Sequence, residues 1–317
     1  RIENEYMAWE VDTLWVRYRF FGLWKKRLAE VKVAGVRGDI HADKKTLSAL
    51  GGPSSAGAGK SWAVDTVEAQ NLRINLRTWD IRAEASTSFR FNLRDSLLES
   101  LKLEIKSLQR GKVQLSGLQA SAQTGRPGIF SVESLKYDKI EVRQIKAEPV
   151  LRENTFYLNG ITAQFLTGSL EGSFQITSSE KMPYEMTLKA RGLDITTLLE
   201  SLKLTDKVSM TGKLDGRMRM EGNTENIVNW VGDLTTSPEG GLLTIQDKAF
   251  LDNIASRTRQ PIEIINASFK NFNYESGSLK FYNEGADLNL TALLEGREGK
   301  RNFPITYHDF LSKKENA

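Results

Sequence analysis

The strongest constraint on this chain is an alternation of apolar and polar residues with period two, repeated in short runs along most of its length. Leu101, Leu103 and Ile105 are separated by charged residues, and the same rhythm returns at Val113 and Leu115, Ile140 and Val142, Phe156 and Leu158, and Leu279 and Phe281. Successive side chains of a strand point to opposite faces, so each run reads as a strand with one apolar face. Gly111, Gly125-Arg126-Pro127-Gly128, Asn159-Gly160, Asn223 and Glu275-Ser276-Gly277 punctuate the runs as expected turns. Consecutive antiparallel strands follow, giving a mainly β fold with a few short helices.

Helical signals are sparse. After Asp247, residues Phe250, Leu251, Ile254 and Ala255 fall on one helix face until Pro261, which predicts a capping helix near 247–259. A shorter helix is expected after Asp194 through Leu198, Leu199 and Leu202, and a third over Asp43 to Leu50 before Gly51-Gly52. Residues 51–61, rich in Gly, Ser and Ala, read as a flexible loop. About twenty candidate strands against so few helices leave an apolar sheet face that the helices cannot cover. Such a sheet closes on itself or lines a cavity.

With 317 residues, 39% hydrophobic and 26% charged, the chain can bury a sizeable core in one long or two ordinary domains. Its net charge of +4 is uneven: residues 1–150 hold 25 Lys/Arg against 18 Asp/Glu, and residues 151–317 hold 19 against 22. The balance changes sign near Pro149, which places two β-rich segments at 1–149 and 150–317. So dilute a basic excess reads as solvated surface, and no nucleic-acid partner is expected. The absence of cysteine excludes disulfides and thiolate metal sites. No apolar run reaches the roughly eighteen residues of a membrane-spanning helix.

Chemical motifs fail on inspection. Ser54 to Ser61 ends Gly59-Lys60-Ser61 like a phosphate-binding loop, but its first position is Ser54. The residues that follow, Trp62 to Val67, alternate like a strand where a phosphate loop needs a helix N-terminus. The two histidines, His41 and His308, lie far apart, and no nucleophile elbow, zinc helix pair or calcium loop is present. No catalytic residue, metal or cofactor is therefore assigned, and the chain reads as a non-enzyme. Phe20, Phe21, Leu23 and Trp24 before Lys25-Lys26-Arg27 fit either a membrane interface or an amphipathic turn packed on the sheet, and packing is the expectation. The helix after Asp247, whose polar face mixes acids with bases, is expected to plug the sheet end.

One internal repeat stands out. Gly168-Ser169-Leu170-Glu171-Gly172 is followed by Phe174 and Ile176, and forty-four residues later Gly212-Lys213-Leu214-Asp215-Gly216 is followed by Met218 and Met220. Leucine, second glycine and both later apolar residues share parity and hence one face. The second glycine is expected to leave that face locally uncovered or to mark a bend.

The three segments Phe165 to Gly172, Gly192-Leu193-Asp194-Ile195 leading into Leu198-Leu199, and Met210 to Gly216, in this order, resemble the AsmA-like superfamily of Gram-negative envelope proteins, within it the YdbH-type branch. Gly240 to Ile245, the helix before Pro261, Phe269 to Tyr274 and Leu288 to Gly296 look like the closing portion of that branch. The resemblance covers residues 150–310 and is generic over 1–150. It implies a repeating β-groove, an elongated, curled antiparallel sheet with an apolar concave face that carries phospholipid acyl chains. It also implies a periplasmic location, inner-membrane attachment through an anchor missing from this sequence, and a partner at the outer membrane or in the periplasm. Groove-lining candidates are Phe165, Leu170, Phe174, Ile176, Met210, Leu214, Met218, Met220, Leu279, Phe281, Leu288 and Leu290. A "dicarboxylate transport" label also attaches to the branch, although a face of Leu, Phe, Met and Ile offers little to two carboxylates. A structural or adhesive β-solenoid is the alternative, but it demands regular coil lengths. An outer-membrane barrel demands aromatic girdles, whereas all but one Trp of this chain lie in the first 80 residues.

Overall fold

The computed structural model describes residues 2–3, 7–42, 63–78, 81–95, 97–124, 126–152, 154–201, 203–223 and 226–308. The helix expected over 43–50, the loop over 51–61 with its phosphate-loop look-alike, Leu202 and Gly125 lie outside the described residues. The protein is mainly β, 73% strand and 10% helical, so helices cannot supply a second layer over the sheet. Contacts divide it into two units, one formed by Arg1–Asp138 with Arg143–Leu151 and the other by Lys139–Val142 with Arg152–Ala317.

In the first unit, β1 (Ile2–Glu3) and β2 (Met7–Tyr18) lead through helix α1 (Phe20–Trp24) into β3 (Arg27–Ala42). Then follow β4 (Ala63–Thr78), β5 (Ile81–Asn92), β6 (Leu97–Arg110), β7 (Val113–Gln123), β8 (Arg126–Tyr137) and β9 (Ile140–Arg152). Neighbours in sequence pair antiparallel, with one departure from the expected meander: β3 and β4 run parallel. A parallel pair needs a crossover connection, and residues 43–62 are long enough to make it. The apolar face continues through paired Val33, Ala69, Phe89, Leu101 and Ala122.

The opposite face of this unit carries an ion-pair network. Arg90 reaches Glu68 at 2.8 Å, Glu99 at 2.8 Å and Glu30 at 3.0 Å, and Lys32 reaches Glu68 at 3.2 Å. Burial pushes the Glu68 carboxyl up. Hydrogen bonds and charges from Lys32, Gln70 and Arg90 outweigh it and hold the group below the usual carboxylate range.

The aromatic turn between β2 and β3 does not pack on the sheet. Phe20, Phe21 and Trp24 are 72%, 80% and 85% exposed. Helix α1 is only five residues long, and the Lys25-Lys26 turn carries the chain from it straight into β3.

The second unit is a meander interrupted twice. β10 (Thr155–Phe165), β11 (Gly168–Thr177), β12 (Tyr184–Asp194), β14 (Lys213–Gly222), β15 (Ile227–Thr236), β18 (Ser276–Glu284), β19 (Asp287–Gly296) and β20 (Gly299–Tyr307) pair in this order, all antiparallel. Asn159-Gly160 is a bulge inside β10 rather than a turn. The register slips between Leu158 and Ile161, and Gly160 takes φ +58°, a conformation that glycine adopts without strain.

Both interruptions leave from the same end of the sheet. The first holds helix α2 (Ile195–Ser201) and β13 (Val208–Met210). The second holds β16 (Gly241–Ile245), helices α3 (Lys248–Thr258) and α4 (Ile262–Phe269), and β17 (Phe272–Tyr274). Strands β13, β16 and β17 form their own small sheet, and Leu243, Leu251, Ala255, Ile265, Phe269, Phe272 and Tyr274 bury one another beside Leu294 of β19. Helix α3 ends at Thr258, before Pro261, as expected, and a further helix that was not expected follows the proline. With φ −56° Pro261 stands just before the first residue of α4, where a missing N–H costs nothing.

Candidate functional site

Paired residues on neighbouring strands share a face, so the register of the second unit fixes what that face contains. One row runs through Ala163, Leu170, Ala190, Gly216, Leu234, Leu279 and Ala292. The next runs through Ile161, Gly172, Leu188, Met218, Gly232, Phe281 and Leu290. A third holds Leu158, Phe174, Met186, Met220 and Trp230, and beyond it Phe156, Ile176 and Tyr184 pair in turn. No charged residue enters these rows. The acids and bases of the same strands occupy the other face, where Arg191 meets Glu171 at 3.1 Å and Arg219 meets Glu185 at 3.0 Å.

Of the expected groove residues, Phe165, Leu170, Phe174, Ile176, Leu214, Met218, Met220, Leu279, Phe281, Leu288 and Leu290 lie on this face by register. Met210 does not. It belongs to β13 of the small sheet, pairs with Leu243 and packs against the buried cluster there. Leu170, Leu214, Phe281 and Leu288 are buried, whereas Phe165, Phe174, Ile176, Met218, Met220, Leu279 and Leu290 are half-buried. Sequence reading missed Met186, Leu188, Trp230 and Leu234 on the same face. The signal existed in the alternation Tyr184, Met186, Leu188, Ala190.

The glycines of the repeat do not leave holes. Gly172 pairs with Leu188 and Gly216 with Leu234, and in each case a Cβ would collide with the paired strand and its leucine side chain. Gly232 stands under the ring of Phe281. Large side chains thus lean over neighbouring glycines, which flattens the face and keeps it continuous. Aromatic contacts add to it: Phe174 stacks on Tyr184 at 6.2 Å and Trp230 meets Phe281 edge-on at 5.2 Å.

The three segments that carry the family resemblance meet at one corner beside the small sheet. The Gly192 amide donates to Asp215 Oδ1 at 2.7 Å, the Asp194 amide donates to the Leu166 carbonyl at 2.9 Å, and Leu193 pairs with Leu214. Asp194 Oδ1 then accepts the amide and hydroxyl of Thr197 at 2.7 and 2.8 Å, which starts α2. Their chemistry is architectural: a bulge is pinned and a helix launched.

At this corner Leu193, Leu214 and Leu294 are all buried, and Leu294 joins the cluster formed by the small sheet and its helices. At the opposite end an open cavity of about 700 Å³ forms among the turns, where Tyr184 and Val228 meet largely polar lining residues that include Glu180, Lys181, Glu185 and Glu221. In the first unit a cavity of about 370 Å³ lies among Glu68, Gln70, Ser88, Arg90 and Lys102, where Glu68 and Arg90 already pair with each other.

His308 Nδ1 lies 2.8 Å from Asp287 Oδ2 at an exposed position, and no group of three His, Asp or Glu able to hold a metal ion occurs among the described residues. No helix among them is long and apolar enough to cross a membrane. No protein-family model, curated protein or solved structure matches the chain.

Proposed function

We propose that this chain is a non-enzymatic cell-envelope protein that holds phospholipid acyl chains against the apolar face of its second unit and supports phospholipid transport between inner and outer membranes. The reading rests on one observation: half-buried Phe174, Ile176, Met186, Met218, Met220 and Trp230 form contiguous rows with no charged residue among them. Apolar surface of this continuity is unfavourable in water and favourable against hydrocarbon, at about 25 cal/mol per Å². The AsmA-like resemblance of residues 150–310 supports it and is the source of the periplasmic location, the attachment to the inner membrane and the partner at the far membrane. The antiparallel neighbour pairing counts against a solenoid of stacked parallel coils.

Native mass spectrometry of the protein purified from membranes in mild detergent tests this. Copurifying phospholipid, lost on substitution of Met218 by Asp, is the expected result. A lipid-free protein that also fails to take up phospholipid from vesicles overturns the reading.

A further inference from the structure

The hairpin tip between β2 and β3 belongs to the first unit and has no part in the acyl-binding face. Phe20, Phe21 and Trp24 are the three most exposed large apolar side chains among the described residues, at 72%, 80% and 85%. They are held in place rather than loose. The Gly22 amide donates to the Arg19 carbonyl at 2.7 Å, the Lys25 amide donates to the Gly22 carbonyl at 3.0 Å, and the two phenylalanine rings meet edge to face at 5.6 Å. Three aromatic side chains presented to solvent by a tight turn are an uncompensated cost in water.

Charge identifies what offsets that cost. Residues 13–29 contain five Lys/Arg and no Asp/Glu. Arg17 is engaged with Glu30 at 3.1 Å and Arg27 with Asp65 at 2.5 Å. Arg19, Lys25 and Lys26 form no ion pair among the described residues and flank the rings on both sides. Exposed aromatics between unpaired cations complement a surface that is apolar below and anionic above, as the interface of an anionic phospholipid bilayer is. A second copy of the tip would bring like charges together.

We propose that this tip docks on an anionic phospholipid bilayer, with Phe20, Phe21 and Trp24 entering the headgroup region and Arg19, Lys25 and Lys26 pairing with lipid phosphates. The contact is peripheral and reversible, since three side chains bury far less than a spanning helix.

The test is co-sedimentation of the full chain with vesicles of phosphatidylglycerol and phosphatidylethanolamine in equal parts, against vesicles of phosphatidylcholine alone. Binding to the anionic vesicles is expected, with a roughly hundredfold loss in R19Q/K25Q/K26Q, at about fivefold per cation. F20S/F21S/W24S should lose binding at least about tenfold on the same vesicles. In the unaltered protein, brominated acyl chains should quench a component of the tryptophan emission that W24F lacks, a readout that does not depend on how the multiple variants fold. M218D, which alters only the acyl-binding face of the second unit, should bind vesicles normally, so failure of one proposal is distinguishable from failure of the other. The proposal is overturned by absence of binding to anionic vesicles, by full binding of F20S/F21S/W24S, or by a dimer that the serine variant dissolves without any vesicle affinity.

Discussion

Gly232 of β15 and Phe281 of β18 face each other across the ladder, and the Phe281 ring fills the space into which a side chain at position 232 would grow. The same ring meets Trp230 edge-on at 5.2 Å, so one glycine sets the position of two aromatics on the apolar face. Substituting G232V should displace the ring from its buried site and lower stability by about 1–3 kcal/mol, as overpacking does. Urea unfolding measures the loss. The Trp230 emission, isolated by difference against W230F, should change in parallel.

Parity makes the lipid reading sharp. Photo-crosslinkers at the half-buried Phe174, Met218 and Met220 should capture acyl chains, and those at Ser173, Gln175, Arg217 and Arg219 should not. Leu170 and Leu214 share the apolar face but are already covered by protein, so they are expected to stay unlabelled. Mass spectrometry of the crosslinked products reads the outcome, and equal labelling at both parities excludes the acyl-binding face.

A carboxylate separates a lipid path from a closed core. M218D and F174D place a charge beside hydrocarbon at half-buried positions, and should abolish lipid capture while the protein still unfolds cooperatively with a modest loss of stability. L214D puts the same group at a buried position paired with buried Leu193, where an unpaired charge costs several kcal/mol or more. Thermal unfolding should therefore show L214D far less stable than M218D. If M218D is equally damaging, the face is an ordinary core.

Tyr274 of β17 donates its hydroxyl to the carbonyl of Thr211, the residue after β13, and so links the two outer strands of the small sheet. Burial pushes its pKa up to about 12, against the usual value of 10.0. The neutral phenol is the form that the fold favours. Its contribution to stability is complete below about pH 10 and is lost as pH rises from there through about 12. Alkaline titration followed by near-ultraviolet circular dichroism should show this loss. Y274F should lower stability at neutral pH by about 1–2 kcal/mol, because the carbonyl is left without its partner, and should flatten the alkaline response.

Period two revealed the strands, and with them the face on which eleven of the twelve expected groove residues lie, because parity survives from sequence into any regular ladder. Met210 escaped this logic. It precedes the second repeat at the right parity, but Gly212, at φ +126°, turns the chain between β13 and β14 and moves Met210 into a different sheet. Asn159-Gly160 has the composition of a turn and forms a bulge, since the pairing of β10 with β11 on both sides of it holds the strand straight. The parallel pairing of β3 with β4 left no local trace. Direction depends on the route of a connection, which side-chain alternation does not encode. Pro261 reads as a helix end, and α3 does stop before it, whereas α4 left no comparable signal because Ile262, Ile265 and Phe269 are helical through the buried cluster they join.

The small sheet is assembled from two stretches of chain separated by β14 and β15, and its middle strand β16 has β13 on one side and β17 on the other. Neither stretch can complete it alone. The hairpins of the large sheet can zip locally, whereas the small sheet must wait until β12, β14, β15 and β18 stand side by side and bring Met210, Leu243 and Phe272 into one ladder. It is therefore a checkpoint on folding: amide protection in β13, β16 and β17 should be the last to appear, and its appearance certifies that the strands beneath are in register.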